Sequence, residues 1–210
     1  MHICNIECNG KQYEVYGENG YLFSLYGKEL KKYHIEADCE IADTLVDEIC
    51  QSVIYKRARE RALYLLERRP YSVSELRGKL TKNRYPESVR EQVISFLEKY
   101  GYLDDVEYTR MYMNTYISKR SYKQMSFELF RKGVSKDVID TCIDELDVTE
   151  QDGFMRQFLR YTRGKNLGDY TVRQKVFRYF YGKGYPTSLI EEAVGRWREE
   201  TEFYEDSTSN

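Results

Sequence analysis

The chain of 210 residues has only two histidines, His2 and His34, five cysteines without a C-x-x-C pair, and no apolar run near the roughly 18 residues that a membrane span requires. Each shortage removes a class of protein. Neither histidine stands at metal-ligand spacing from a partner, so no metal site and no histidine general base is expected. Cys4, Cys8, Cys39, Cys50 and Cys142 are odd in number and irregular in spacing, which argues against a zinc site or a disulfide framework. Cys4 and Cys8, four apart in a strand-like segment, share a face and are expected as half-buried small side chains. The first residues lack a charged segment leading into an apolar one, so no secretory signal is expected and a reducing cytoplasm is the expected compartment. No Walker-type loop occurs, so the chain is not expected to hydrolyse ATP, to be an enzyme or to need a cofactor.

An excess of one charge is missing as well: 33 Lys and Arg stand against 35 Asp and Glu, for a net charge of -2, which excludes a globally basic nucleic-acid binder. The balance hides a pattern. Residues 1–54 carry 4 bases and 10 acids, residues 55–125 carry 16 and 9, residues 149–198 carry 10 and 5, and residues 199–210 carry five acids and no base. Basic middle segments between acidic ends fit a protein that meets a polyanion or an acidic partner with part of its surface.

Ile3, Ile6 and Cys8 lead to Asn9-Gly10, Tyr13, Val15 and Tyr16 lead to a second turn at Gly17–Gly20, and Tyr21–Leu25 follows, a pattern that predicts three short antiparallel strands leaning on the helices beyond. Short helices are expected near 28–33 and 40–50. From Ser52 the period becomes helical, with Val53, Ala58, Ala62, Leu63, Leu65 and Leu66 on one stripe. Pro70 ends that helix, Ser72 or Ser74 caps the next with Glu75 in its first turn, and Pro86 opens a third that closes at Gly101. Asp104 and Asp105 are read as caps of a helix beginning near Val106 rather than as metal carboxylates.

The apolar anchors then repeat. Leu76, Leu80, Tyr85, Val89, Ile94 and Leu97 recur with the same offsets as Met125, Leu129, Val134, Val138, Ile143 and Leu146, and again as Val176, Phe180, Tyr185, Leu189, Val194 and Trp197. Each set follows a further helix, at about 54–68, 105–119 and 150–163. The expected architecture is mostly α: an extension over 1–50, three tandem three-helix repeats over 51–103, 104–148 and 149–199 stacked as an elongated curved rod, and an acidic flexible tail over 200–210.

Three segments resemble a known family. The run Tyr64-Leu-Leu-Glu-Arg-Arg-Pro-Tyr-Ser-Val-Ser-Glu-Leu-Arg-Gly-Lys-Leu80 is similar to a RecX signature in which a basic pair and proline lead into a Ser-x-x-Glu-Leu-x-x-Lys-Leu helix. Tyr100-Gly-Tyr-Leu-Asp-Asp-Val-Glu-Tyr-Thr-Arg110 resembles that family's Gly-x-Leu-Asp-Asp motif, and Glu128-Leu-Phe-Arg-Lys-Gly-Val134 its Glu-Leu-x-x-Lys-Gly-Val. The likeness covers about 55–198, and the amino-terminal hairpin is similar to the extension of Gram-positive-type members. Departures are Thr109 where alanine is usual and Asn83-Arg84 where Lys-Gly is typical, whereas Lys183-Gly184 is retained. The resemblance implies a non-enzymatic regulator that binds the RecA recombinase filament on single-stranded DNA, inhibits its ATPase and strand exchange, and acts in recombinational repair and the SOS response; the acidic tail and solvated surface make a monomer the expected state.

The basic residues are the expected contact set: Arg57, Arg61, Arg68, Arg69, Lys79, Lys82, Arg84, Lys119, Arg120, Lys123, Arg131 and Lys132, with Tyr85, Tyr116 and Tyr122 interleaved, then Arg156, Arg160, Arg163, Lys165, Arg173, Lys175 and Arg178. A competing reading is a helix-turn-helix transcription regulator. Its recognition helices would have to face phosphate with Glu87, Glu91 and Glu98, or with the acids of 135–146, which count against it.

Overall fold

Alternation along three strands puts Ile3, Val15, Phe23 and Leu25 on one wholly buried face, and that face needs a cover. In the computed structural model, which describes residues 1–146 and 149–208 with side chains as far as 197, β1 (His2–Asn9), β2 (Gln12–Gly17) and β3 (Gly20–Tyr26) form an antiparallel meander. Gly10 turns the first hairpin with φ +65°, a backbone that glycine adopts without steric cost. The sheet has a fourth strand beyond the three expected. After α1 (Gly27–Lys32), the two-residue β4 (Cys39–Glu40) pairs with His2 and Ile3, giving the order β3-β2-β1-β4. A pairing this short leaves no alternation to read.

The expectation for Cys4 and Cys8 is corrected. Both are exposed: Cys4 lies at the register slip between Ile3 and Asn5, and Cys8 lies opposite Tyr13 beside the hairpin turn. The helix expected at 40–50 and the one after Ser52 are also one continuous run: α2 (Asp43–Ile49) passes through a π turn at Cys50–Ile54 into α3 (Tyr55–Arg68), with helical backbone at each junction. Ile49, Ile54, Ala58 and Ala62 are buried in the same core as the inner face of the sheet.

The chain forms two compact units, residues 1–104 and 105–210. In the first, α3 is followed by α4 (Val73–Lys82) and α5 (Glu87–Lys99), and their Leu76, Leu80, Val89, Val93, Ile94 and Leu97 join the sheet's apolar face in one core. The second holds α6 (Asp105–Tyr116), α7 (Tyr122–Arg131) and α8 (Lys136–Asp144), then α9 (Glu150–Thr162), α10 (Tyr170–Gly182) and α11 (Thr187–Thr208), around two cores. One core centres on Met113, Met125, Leu129 and Ile139, the other on Phe154, Phe158, Phe180 and Tyr185. Residues 147, 148, 209 and 210 lie outside the described set.

Caps explain where the middle helices begin. The Ser72 hydroxyl accepts from the Glu75 N–H at 3.1 Å while the Glu75 carboxylate accepts from the Ser72 N–H, and Ser121 and Gln124 repeat this reciprocal pair. Ser135 and Asp169 cap α8 and α10 through their side-chain oxygens.

Inside the second unit, α9 runs hard against the turn after α6. A Cβ on Gly153 would lie 2.2 Å from the Ile117 carbonyl oxygen. Around this approach, the Ser121 hydroxyl donates to the Lys183 carbonyl at 2.6 Å, the Tyr122 N–H donates to Glu150, and Gln157 Nε2 donates to the Tyr185 hydroxyl at 2.6 Å. Burial pushes the Glu150 carboxyl up, opposed by that N–H, and pushes the Tyr185 phenol up to about 12.

Thr109 carries a cost. It is wholly buried in α6 and its hydroxyl has no hydrogen-bond partner among the described residues. Thr109→Val keeps the shape and removes the unpaired hydroxyl, so it is expected to stabilise the chain by about 1–2 kcal/mol. Urea unfolding followed by circular dichroism checks this; a loss of stability would show that the hydroxyl is satisfied.

Candidate partner-binding surfaces

The expected basic residues divide into those held by the fold and those left to solvent. Arg57 is held. Its Nη2 reaches both oxygens of Glu29 at 2.7 and 2.8 Å, its Nη1 donates to the Ser24 carbonyl at 3.1 Å, and its guanidinium lies over the Tyr26 ring. Arg84 is held too. It takes the left-handed backbone, φ +58°, at the turn position that Gly133 and Gly184 fill in the later repeats, with φ +82° and +83°. Its side chain meets Glu14 at 3.1 Å and Tyr16 at 3.2 Å, while its carbonyl accepts from the Tyr21 hydroxyl. An arginine in that conformation costs about 1 kcal/mol over glycine, offset here by its contacts with the sheet.

Glu14, buried against those groups, has its carboxyl held below the ordinary 4.5 by hydrogen bonds from Tyr16 and Asn9 and by the charge of Arg84, against the opposing effect of burial. The unfolded chain therefore binds more protons than the folded one in the window just below pH 4.5. Glu14's contribution to stability is complete above that value and is lost as pH falls through the lowered pKa. Glu14→Gln is expected to flatten the fall in stability with acid in that window, measured by urea midpoints between pH 3 and 6; an unchanged slope would assign the acid sensitivity elsewhere.

Around these two fixed arginines lies an open cleft of about 430 Å³ within the first unit, lined by Tyr21 and Tyr26 from β3, Arg57, Glu60, Arg61 and Tyr64 from α3, and Arg84 and Tyr85 from the α4–α5 turn. Three residues of the expected set, Arg57, Arg61 and Arg84, thus meet in one place. Arg61 and Arg68 have no carboxylate partner among the described residues and lie 5.4 and 4.6 Å from the centre of the Tyr64 ring. Lys79 and Lys82 project to solvent from α4, apart from this lining, and Arg69 stacks on Tyr71 and pairs at 3.7 Å with Glu75.

A second cleft, of about 440 Å³, lies between α6 and α7 and brings together Arg120, Arg131 and Lys132 with Tyr112, Tyr116 and Glu128. Arg120 is held by Glu128 and Tyr112 and stacks 4.0 Å from the Tyr116 centroid; burial, then Glu128, pushes the Tyr112 phenol well up. Beside this cleft α7 exposes Phe127 (62 %) and Phe130 (64 %), with Lys123 and Arg131 one turn away on either side and Lys119 exposed on the preceding turn. Two bare phenylalanines three apart are the unusual feature of this surface. They sit two and five residues beyond Met125, off the buried stripe of Met125 and Leu129, and that spacing was the available signal for them.

The last group is dispersed. Arg173 donates to the carbonyls of Leu167 and Gly168, and Lys165 lies 3.1 Å from the centre of the Tyr161 ring. Arg156, Arg160, Arg163, Lys175 and Arg178 are exposed. The third helices turn Glu87, Glu91 and Glu98 of α5, and Asp137, Asp140 and Asp144 of α8, outward. No His, Cys, Asp and Glu cluster able to hold a metal occurs among the described residues, and no described helix is long and apolar enough to cross a membrane.

Tandem three-helix modules with capped middle helices and a small antiparallel sheet define the class of fold. Two family models match within it: the first three-helix domain of RecX over residues 58–97 and the third over 156–194. Regulatory protein RecX of Clostridium beijerinckii is 25 % identical over 190 residues, covering 89 % of each chain, and that of Clostridium perfringens is 26 % identical over 192 residues, covering 90 % of this chain and 91 % of the relative. Among solved structures, a RecX crystal structure has TM-score 0.60 at 21 % identity over 90 % of this chain, and RecX from Lactobacillus salivarius 0.58 at 18 % over 69 %. The chain belongs to the RecX family of regulatory proteins.

Proposed function

We propose that the chain binds the RecA recombinase filament assembled on single-stranded DNA and inhibits its ATP turnover and strand exchange, acting without catalysis of its own in the cytoplasm during recombinational repair. The observation that carries the reading, beside the family, is the α7 face. Phe127 and Phe130 are large apolar anchors left uncovered, and the cations of Lys123 and Arg131 flank them, a combination suited to a protein surface with an apolar pocket rimmed by carboxylates.

The test is ATP hydrolysis by the cognate recombinase on single-stranded DNA while this protein is titrated from far below one molecule per recombinase subunit. Substoichiometric inhibition is expected, and unchanged hydrolysis with the folded protein would overturn the proposal. Phe127→Ala with Phe130→Ala is expected to raise the amount needed for half-inhibition by about tenfold or more, because paired anchors commonly contribute 2 kcal/mol or more to an interface. Both side chains are solvent-exposed, so the variant should unfold at the wild-type urea midpoint.

A further inference from the structure

The cleft of the first unit has a composition that the proposed inhibition does not use. Its walls bring tyrosine rings and guanidinium groups together: Arg57 lies 4.6 Å from the Tyr26 centroid, Arg84 4.8 Å from that of Tyr21, and Arg61 5.4 Å from that of Tyr64. Two of these planes are fixed in advance, Arg57 by Glu29 and Ser24, and Arg84 by Glu14 and Tyr16. Tyr26 and Tyr64 are 42 and 44 % exposed, so part of each side chain is open to a ligand.

Charge in the cleft is unevenly satisfied. Arg57 and Arg84 are neutralised by carboxylates behind the wall, whereas Arg61 has none among the described residues. Glu60 is the acid in the lining. A ligand that gains from this arrangement presents a planar ring to the stack and a single anionic group to Arg61.

We propose that this cleft holds one nucleotide of a single strand, its base extending the tyrosine–guanidinium stack beside Tyr64 and Tyr26 and its phosphate meeting Arg61. The volume, about 430 Å³, suits one small-molecule-sized unit and not a duplex. Base–aromatic stacking supplies an affinity indifferent to sequence, and one phosphate contact supplies a modest dependence on salt. The proposal deepens the reading above by assigning single-strand contact to a surface separate from the α7 anchors. It is tested without recombinase, so the two can fail independently.

The experiment is fluorescence anisotropy of the full chain with a labelled 20-nucleotide single strand, a duplex of the same length, and the mononucleotide as competitor. The wild-type chain is expected to prefer the single strand, with the mononucleotide a weak competitor. Tyr64→Ala is expected to weaken strand binding about tenfold and Tyr64→Phe to retain it, because the ring and not the hydroxyl does the stacking. Arg61→Ala is expected to weaken binding and lower the slope of log affinity against log salt by about one unit. Glu60→Gln is expected to strengthen binding several-fold. Gains and losses from adjacent exposed residues separate a binding site from a folding defect. Equal affinity of the wild-type chain and its Tyr64→Ala, Arg61→Ala and Glu60→Gln variants, or a preference for duplex, would overturn the assignment. Mononucleotide binding as tight as that of the 20-mer would overturn the strand as the ligand.

Discussion

Alanine at Gly153 is expected to destabilise the second unit by more than about 3 kcal/mol. Helix propensity alone gives the opposite sign, since alanine in a helix interior is favoured over glycine by about 1 kcal/mol. Space decides the matter. The new methyl would lie 2.2 Å from the Ile117 carbonyl oxygen and 3.2 Å from the Ile117 carbonyl carbon and the Ser118 Cα, all backbone atoms that cannot rotate away. Relief requires α9 to withdraw from the turn, which would break the Gln157–Ser118 and Tyr122–Glu150 hydrogen bonds with it. Gly78→Ala and Gly182→Ala are internal controls. Both glycines are helical with nothing within 4 Å of a new Cβ, and each substitution should stabilise by about 0.5–1 kcal/mol. Urea unfolding of the three variants reads the difference; a Gly153→Ala variant as stable as its controls would show that the helix does not approach that closely.

Removing Arg57 is expected to cost the first unit about 2–3 kcal/mol. Its guanidinium ties α3 to α1 through Glu29 and to β3 through the Ser24 carbonyl, and both side chains of the ion pair are at least three-quarters buried. Arg57→Ala strands the Glu29 carboxylate in a poorly solvated place and withdraws a donor from a carbonyl, and losses of that kind exceed the net worth of the pair itself. Arg57→Ala combined with Glu29→Gln should recover part of the loss, the signature of a stranded charge. Hydrogen exchange localises the effect: amides of β3 and α1 should lose protection while those of α6–α11 keep theirs. Uniform loss, or none, would remove Arg57 from its role as the clamp between sheet and helix.

Much of this was legible in the chain because periodicity and caps are local. The repeated anchors led to helices whose buried residues are those anchors or their immediate neighbours, and Ser72 and Pro70 mark boundaries by chemistry contained within four residues. What could not be read is what depends on distant partners. β4 exists only because His2 and Ile3 lie beside it. The π turn at 50–54 preserves helical backbone while shifting the face presented, and no apolar period announces it. The cation set was legible as composition, but not its division: nothing in the neighbours of Arg57 or Arg84 reveals that Glu29 and Glu14 occupy them, whereas Arg61, only four residues from Arg57, is left to the cleft.

Arg84 also bears on the order in which the chain acquires its structure. Gly133 and Gly184 let their turns close from local contacts alone, and hairpins of that kind form early. The turn at Arg84 becomes favourable only when Glu14 and Tyr16, nearly seventy residues earlier, are already in place, since those contacts offset its left-handed backbone. During synthesis Glu14 and Tyr16 must therefore wait for Arg84 to emerge beyond α4, so that the amino-terminal unit is completed late while each later helical hairpin can close as it appears.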